Sequence, residues 1–171
     1  YTTEGVKAIL SHKPVKEYYE ALPDYLARAG VDVVGRTANW GEPTLHNVAR
    51  YEGVKDLVTT YPEAKGDYDE ILVCGLSDII EEAACAKQFI VLHTSTSHGP
   101  EYDKRYPKEF RRFVPACNSV EVSKADRAEL VNAYDNTILY TDYLVHTVIE
   151  ALRACEGLRA TMIYVSDHGE S

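Results

Sequence analysis

The stretch QFIVLHTSTSHGP, residues 88–100, decides the fold. Its first part, Gln88-Phe89-Ile90-Val91-Leu92, is a short apolar run rich in β-branched and aromatic residues, which predicts a strand. The run is continuously apolar rather than alternating, and that suits a parallel sheet covered on both faces. From His93 the composition changes at once to hydroxyls, histidine, glycine and proline, as at the end of a strand. Thr161-Met162-Ile163-Tyr164-Val165 repeats this pattern and leads into Ser166-Asp167-His168-Gly169-Glu170-Ser171. Val31-Asp32-Val33-Val34 is a weaker third strand, followed by Arg36, Thr37, Ala38, Asn39 and Trp40.

Helical patterns separate these runs. Pro23 to Ala29 reads as a helix, with Pro23 in the first turn and Gly30 as its stop. Glu70 to Ala86 is a second, with Ile71, Leu72, Leu76, Ile79 and Ile80 as apolar positions. Lys124 to Cys155 is the strongest, with Ser123 and Asp126 as a capping box and Gly157 at its end. Leu130, Tyr134, Ile138, Thr141, Val145, Val148 and Leu152 follow helical spacing along it. Alternation of helix and strand predicts an α/β fold, a mostly parallel sheet with helices on both faces. Thr94 to Val122, with Pro100, Pro107 and Pro115, reads as a long surface connection.

The chain has 171 residues and a net charge of -9, from 18 basic and 27 acidic residues. An acidic chain is a poor partner for nucleic acid, whose affinity comes largely from Lys and Arg on phosphates. No apolar run approaches the roughly 20 residues needed to span a bilayer, and residues 1 to 20 show no signal-peptide core. Cys74, Cys85, Cys117 and Cys155 form no C-x-x-C pair, and read as buried apolar residues rather than a disulfide framework.

In open α/β sheets ligands sit beyond the carboxyl ends of the strands. Asp167-His168 is the sharpest feature there. Adjacent strand residues point to opposite faces, so both reach one ion only where the strand breaks into a turn, and Gly169 supplies that freedom. A carboxylate with an imidazole suits zinc or manganese; a strand ending in a polar turn is the other reading. His98 also precedes a glycine. It is either a surface loop histidine or a group that binds a phosphate oxygen or donates a proton. His93 reads as a core histidine, and His12, His46 and His146 as surface or packing residues.

Tyr164-Val165-Ser166-Asp167-His168-Gly169-Glu170-Ser171 resembles the metal-binding motif of the phosphoethanolamine transferases, including the colistin-resistance enzymes, within the alkaline phosphatase and sulfatase superfamily. Ser97-His98-Gly99-Pro100, with Tyr102, Lys104, Arg105 and Tyr106, resembles their second histidine motif. Asn132-Ala133-Tyr134-Asp135-Asn136, with Thr141-Asp142, matches their long helix. The resemblance implies an alkaline phosphatase-like three-layer α/β/α fold, with residues 1–171 part of a single catalytic domain, a fragment of a larger enzyme. It implies zinc held by Asp167, His168 and Thr2, the nucleophile being Thr2 (or Thr3), which also reads as an ordinary helix cap. His98 would contact phosphate and Asn39 the substrate.

The implied reaction moves phosphoethanolamine from phosphatidylethanolamine through the threonine to lipid A or a related acceptor. The implied setting is the bacterial inner membrane, anchored by segments outside this chain, with the catalytic domain in the periplasm. Polymyxin resistance belongs to the same implication. A remaining glutamate ligand would precede Tyr1 and a further histidine would follow Ser171, so residues 1–171 alone are expected to bind zinc weakly and turn over poorly. The chain departs from the family at Gly5 (Ser), Lys7 (Pro), Trp40 and Pro43 (Ser and Lys), and at Ala125, which stands opposite the family cysteine Cys117. Alternatives are a sulfatase, phosphodiesterase or phosphoglycerol transferase of the same superfamily, and a non-catalytic scaffold domain. The C/S-x-P-x-R context of sulfatase nucleophiles is absent.

Overall fold

The computed structural model describes residues 2–11, 20–39, 44–45, 47–64, 66–83, 87–118 and 125–169. Among these residues the α-helices and β-strands follow in the order α1 (Thr2–Leu10), α2 (Leu22–Arg28), β1 (Asp32–Thr37), β2 (Arg50–Gly53), α3 (Val54–Thr60), α4 (Leu76–Glu81), β3 (Gln88–His93) and α5 (Arg127–Ala154). The strands form one sheet in the order β2-β1-β3. Both pairings are parallel.

Register decides which side chains share a face. Gly35 pairs with Tyr51 on one side and Val91 on the other, so all three point to the same face. There Tyr51 and Val91 pack against Val6 and Leu10 of α1 and against Leu45. The next row, Glu52, Arg36 and Leu92, faces the opposite way. On that side Arg36 reaches the carbonyls of Leu72 and Cys74 at 2.9 and 2.6 Å. Leu57 of α3 joins Ile71 and Leu72 in a buried cluster there. Helical layers thus lie on both faces of the central strand β1, in the α/β/α arrangement, whereas every residue of β3, expected to be covered on both faces, is only half-buried.

Arg36, which the sequence places after the strand, lies within β1 and points inward. It is only 1% exposed and donates Nε to Glu52 at 2.8 Å, with its guanidinium over the Tyr61 ring. Burying a guanidinium is tolerated only when its donors are matched this way. It ties the Asp69–Val73 turn to the sheet.

Several elements differ from expectation. The helix expected over Glu70 to Ala86 is a 3-10 turn, Asp69–Val73, and then α4, because Gly75 between them is left-handed at φ 61. Residues 84–86 lie outside the described ones. α5 begins at Arg127, capped by Asp126, whose carboxylate accepts from the amides of Ala128 and Glu129. Ser123 and Lys124 lie outside the described residues. Its buried face is Ala133, Asn136, Thr137, Tyr140, Thr141 and Leu144, while Ile138 is 42% exposed.

The strand expected at Thr161 to Val165 joins no sheet among the described residues, and Ile163 is 81% exposed. Apolar composition shows what a segment could bury, whereas a strand also needs a neighbour for its backbone ladder.

The 94–118 segment is more than a surface connection. Thr96, Tyr102, Tyr106, Ala116 and Cys117 are buried in it. Asn136 holds it to α5, accepting from the amides of Arg112 and Phe113 at 2.8 and 2.9 Å and donating to the Phe113 carbonyl at 3.0 Å. Cys117 packs with Tyr102, Ala116 and Ala133, and Ala125 lies against that cluster. No helix among the described residues is long and apolar enough to cross a membrane.

Candidate active site

The first residue of α1 is Thr2. Val6 and Leu10 anchor the helix on the sheet against Tyr51 and Val91. Thr2 Oγ1 lies 3.4 Å from Nε2 of His168. Thr3, the fallback nucleophile, is exposed on the same turn.

His168 sits in the turn after Val165. Its Nδ1 is 2.9 Å from the Gly169 carbonyl oxygen. A carbonyl only accepts, so Nδ1 carries the hydrogen, and in the neutral ring Nε2 presents its lone pair. That lone pair faces Thr2 and, at 3.7 Å, Oδ2 of Asp167. The two side chains are 35% and 26% exposed, so the cluster is open to a ligand. Ser166 Oγ donates to the His168 carbonyl at 2.5 Å, which braces the turn. The turn also lies against Gly5 of α1, where a side chain would strike the Asp167 backbone.

His98 has the same arrangement. Its Nδ1 is 2.8 Å from the Gly99 carbonyl, so the neutral ring again offers Nε2. Its amide donates to the Ser95 carbonyl at 3.1 Å, closing a turn directly beyond β3. Thr137 of α5 gives its hydroxyl hydrogen to the Tyr134 carbonyl at 2.7 Å, so Ser97 is the donor in the 2.9 Å Ser97–Thr137 bond. That bond pins the residue preceding His98 to the long helix.

Asn39 lies two residues beyond β1, its amide 3.1 Å from Thr37 Oγ1. The same oxygen is 3.2 Å from Nδ1 of His93, and the Ala38 amide donates to the His93 carbonyl. This extends the β1–β3 pairing by one residue and sets Asn39 on the rim from which the His98 loop leaves. The structure therefore gathers Thr2, Asp167 and His168 into one cluster, and places Asn39 and His98 at the carboxyl ends of adjacent strands. His93 is a half-buried strand residue tied to Thr37. His146 is exposed on α5, whereas His12, His46, Trp40 and Pro43 lie outside the described residues.

Sequence reasoning does not single out Asp69. Its Oδ2 accepts from the Ser95 amide at 2.7 Å and the Thr96 hydroxyl at 2.5 Å. Burial pushes its carboxyl above the usual range, with the bonds from Thr96 and Ser95 and the charge of Arg105 pulling the other way. Arg105 donates to Ser95 Oγ at 3.0 Å. Asp69, Ser95, Thr96 and Arg105 line a cavity of about 130 Å³ just past Ala38. Nothing local in the sequence marks Asp69, since its partners lie 26 and 27 residues away.

Residues 1–171 match the protein-family model described as Sulfatase. The chain belongs to the sulfatase family. Its curated relatives there include phosphoethanolamine transferase EptA of Helicobacter pylori, 41% identical over 173 residues, covering 100% of this chain and 33% of the relative. EptA of Salmonella typhimurium is 36% identical over 179 residues, covering 99% of this chain and 32% of that protein. This sulfatase-family chain thus spans about a third of the length of the curated relatives it matches. The C-terminal periplasmic domain of phosphoethanolamine transferase EptC from Campylobacter jejuni superposes with a TM-score of 0.77 at 32% identity, covering 90% of this chain and 48% of that one. The α/β/α fold of the chain is that of these domains.

Proposed function

We propose that residues 1–171 are part of a single sulfatase-like catalytic domain of a zinc-dependent phosphoethanolamine transferase. The observation that carries this reading is the approach of Thr2 Oγ1 to His168 Nε2 at 3.4 Å, beside Asp167. A hydroxyl, a carboxylate and an imidazole nitrogen with its lone pair turned inward make a donor set suited to zinc, with room for further ligands. The names of the relatives supply the transferred group.

Zinc held by Thr2, Asp167 and His168 would favour the threonine alkoxide and draw charge from the phosphoryl oxygens. Thr2 Oγ1 forms the bond to the phosphorus of phosphatidylethanolamine. The bond from phosphorus to the diacylglycerol oxygen breaks, and diacylglycerol leaves with the proton. A phosphate oxygen of lipid A or a related acceptor then forms a bond to the same phosphorus, the bond from phosphorus to Thr2 Oγ1 breaks, and the proton given up by the acceptor returns to Thr2. The first amides of α1 favour the anionic phosphoryl group. His98 Nε2 meets a phosphate oxygen, and Asn39 contacts the substrate from the neighbouring strand end. The catalytic domain works in the periplasm, held at the bacterial inner membrane by segments outside this chain.

The test is direct. Incubation of the whole protein with labelled phosphatidylethanolamine should release diacylglycerol and leave phosphoethanolamine on the peptide carrying Thr2, located by mass spectrometry. Absence of both products, or a label on another residue, refutes the assignment.

A further inference from the structure

Gly5 follows Thr2 by three residues on α1, so the two share a face of the helix. Its backbone is not left-handed, and the helix gives no conformational reason for glycine there. An ordinary residue such as alanine would favour the helix. The reason lies outside the helix. A β-carbon placed on Gly5 would overlap the Asp167 carbonyl oxygen, and would stand 2.9 Å from its carbonyl carbon and 3.1 Å from Asp167 Cβ. Ordinary contact begins at 3.4 Å. The obstructing atoms are mostly backbone, in a turn braced by Ser166 and by the Gly169 carbonyl, so no side-chain rotation relieves the overlap.

We infer that Gly5 is a positioning residue, which sets the separation between the Thr2 hydroxyl and the Asp167–His168 pair. The inference rests on the reading of that cluster as the catalytic centre. With helix and turn spaced as they are in this chain, a side chain at position 5 would drive α1 and the turn apart by about an ångström, the gap between overlap and ordinary contact, and the serine of the resembling family requires a wider spacing there. Thr2 travels with the helix. Its 3.4 Å contact with His168 is already near the limit of a hydrogen bond, and another ångström removes it.

Gly5→Ala separates positioning from helix stability, because the two roles predict opposite outcomes. Glu4→Ala, exposed on the same helix, is the control. Positioning predicts that Gly5→Ala lowers kcat for diacylglycerol release by about 100-fold with KM little changed. It also predicts zinc affinity weaker by roughly 10- to 100-fold in a chelator competition. A glycine without this role gives an Ala variant with a higher Tm and wild-type kcat and affinity, which overturns the inference. Two nuclear magnetic resonance readouts hold whether or not the whole protein transfers phosphoethanolamine. In the metal-free chain the His168 Nε2 resonance should shift in Gly5→Ala, and an unchanged resonance overturns the inference. If the variant does not fold, the wild type still decides. Its Gly5 α-protons must show a nuclear Overhauser contact to the Asp167 β-protons, and absence of that contact overturns the inference. A wild type that shows the contact yet binds no zinc and releases no diacylglycerol refutes the catalytic reading instead.

Discussion

Thr2 and His168 stand 166 positions apart in the chain and meet at 3.4 Å, hydroxyl oxygen to imidazole Nε2. Two anchors set that distance. One is the apolar seat of Val6 and Leu10 against Leu45, Tyr51 and Val91. The other is the pair of bonds by which Ser166 and the Gly169 carbonyl hold the turn and orient the imidazole. Neither anchor involves the hydroxyl or the imidazole Nε2 themselves, so the chemistry at these atoms can be altered without unfolding the chain.

Thr2→Val keeps the shape of the side chain and removes only the hydroxyl. If Thr2 is the nucleophile as proposed, diacylglycerol release by the whole protein should fall by at least about 1,000-fold, since its loss removes the covalent route entirely. The Tm should stay within a few degrees, because Thr2 is only half-buried. Thin-layer chromatography of labelled lipid gives the first quantity and calorimetry the second. Substantial residual release would move the nucleophile elsewhere, with Thr3 next to be replaced.

Asp167→Ala should abolish transfer while leaving the far-ultraviolet circular dichroism spectrum unchanged. The carboxylate is 26% exposed and contributes nothing to the apolar clusters. In the proposed centre it supplies one anionic ligand beside His168, so stoichiometric zinc in the purified whole protein should drop with it. A variant that retains zinc and activity would remove Asp167 from the metal site.

Much of this arrangement was legible in the sequence, for physical reasons. β3 and α5 show themselves because an apolar run and a long helical repeat are local signals. The Asp167-His168-Gly169 turn and the Ser97-His98-Gly99 turn were legible because glycine after a polar pair ending in histidine marks where a chain leaves regular structure. β2 was not, since Arg50-Tyr51-Glu52-Gly53 has no strand composition and forms because its backbone extends the ladder of β1. The break at Gly75 is not legible because the apolar spacing continues across it. A β-carbon there would come within 2.8 Å of Tyr61 Cζ, a contact made by a residue of another element. Asp69 and Gly5 belong to the same class, with roles fixed by distant partners.

Asn136→Ala tests how the His98 loop is held. The side chain is fully buried and makes bonds to the Arg112 and Phe113 amides, the Phe113 carbonyl and the Tyr106 hydroxyl. Truncation leaves those groups unpaired and should cost about 2–4 kcal/mol in chemical denaturation. A loss below about 0.5 kcal/mol would mean that water replaces the amide and the loop is supported elsewhere.

Ala125→Cys tests whether a disulfide fits where packing now stands. Ala125 lies against the cluster that contains Cys117, and the Cys117 amide bonds to the Glu129 carbonyl at 3.0 Å, so this segment already lies along the start of α5. Under oxidising conditions the new thiol should pair with Cys117. Closing so short a loop stabilises by about 2–3 kcal/mol in the chain-entropy treatment. Peptide mapping without reductant detects the bond, and a pair that remains reduced would show that the two β-carbons do not face each other.

Asp69→Asn should change how stability depends on pH. Burial raises the Asp69 carboxyl above its unfolded value, so the folded chain keeps this proton to higher pH than the unfolded chain does. Its contribution to stability is therefore complete below the unfolded carboxylate range and is lost as pH rises through the folded value. The amide oxygen of asparagine can still accept from the Ser95 amide and the Thr96 hydroxyl, but it does not titrate. The stability of the variant minus that of the wild type should accordingly increase as pH rises from the acid end, with a slope of no more than about 1.4 kcal/mol per pH unit. Denaturation curves at intervals between about pH 4 and pH 7 would measure it. A difference that stays flat would mean that the hydrogen bonds from Ser95 and Thr96, with the charge of Arg105, offset the burial in full. A difference that falls with pH would mean that they outweigh it.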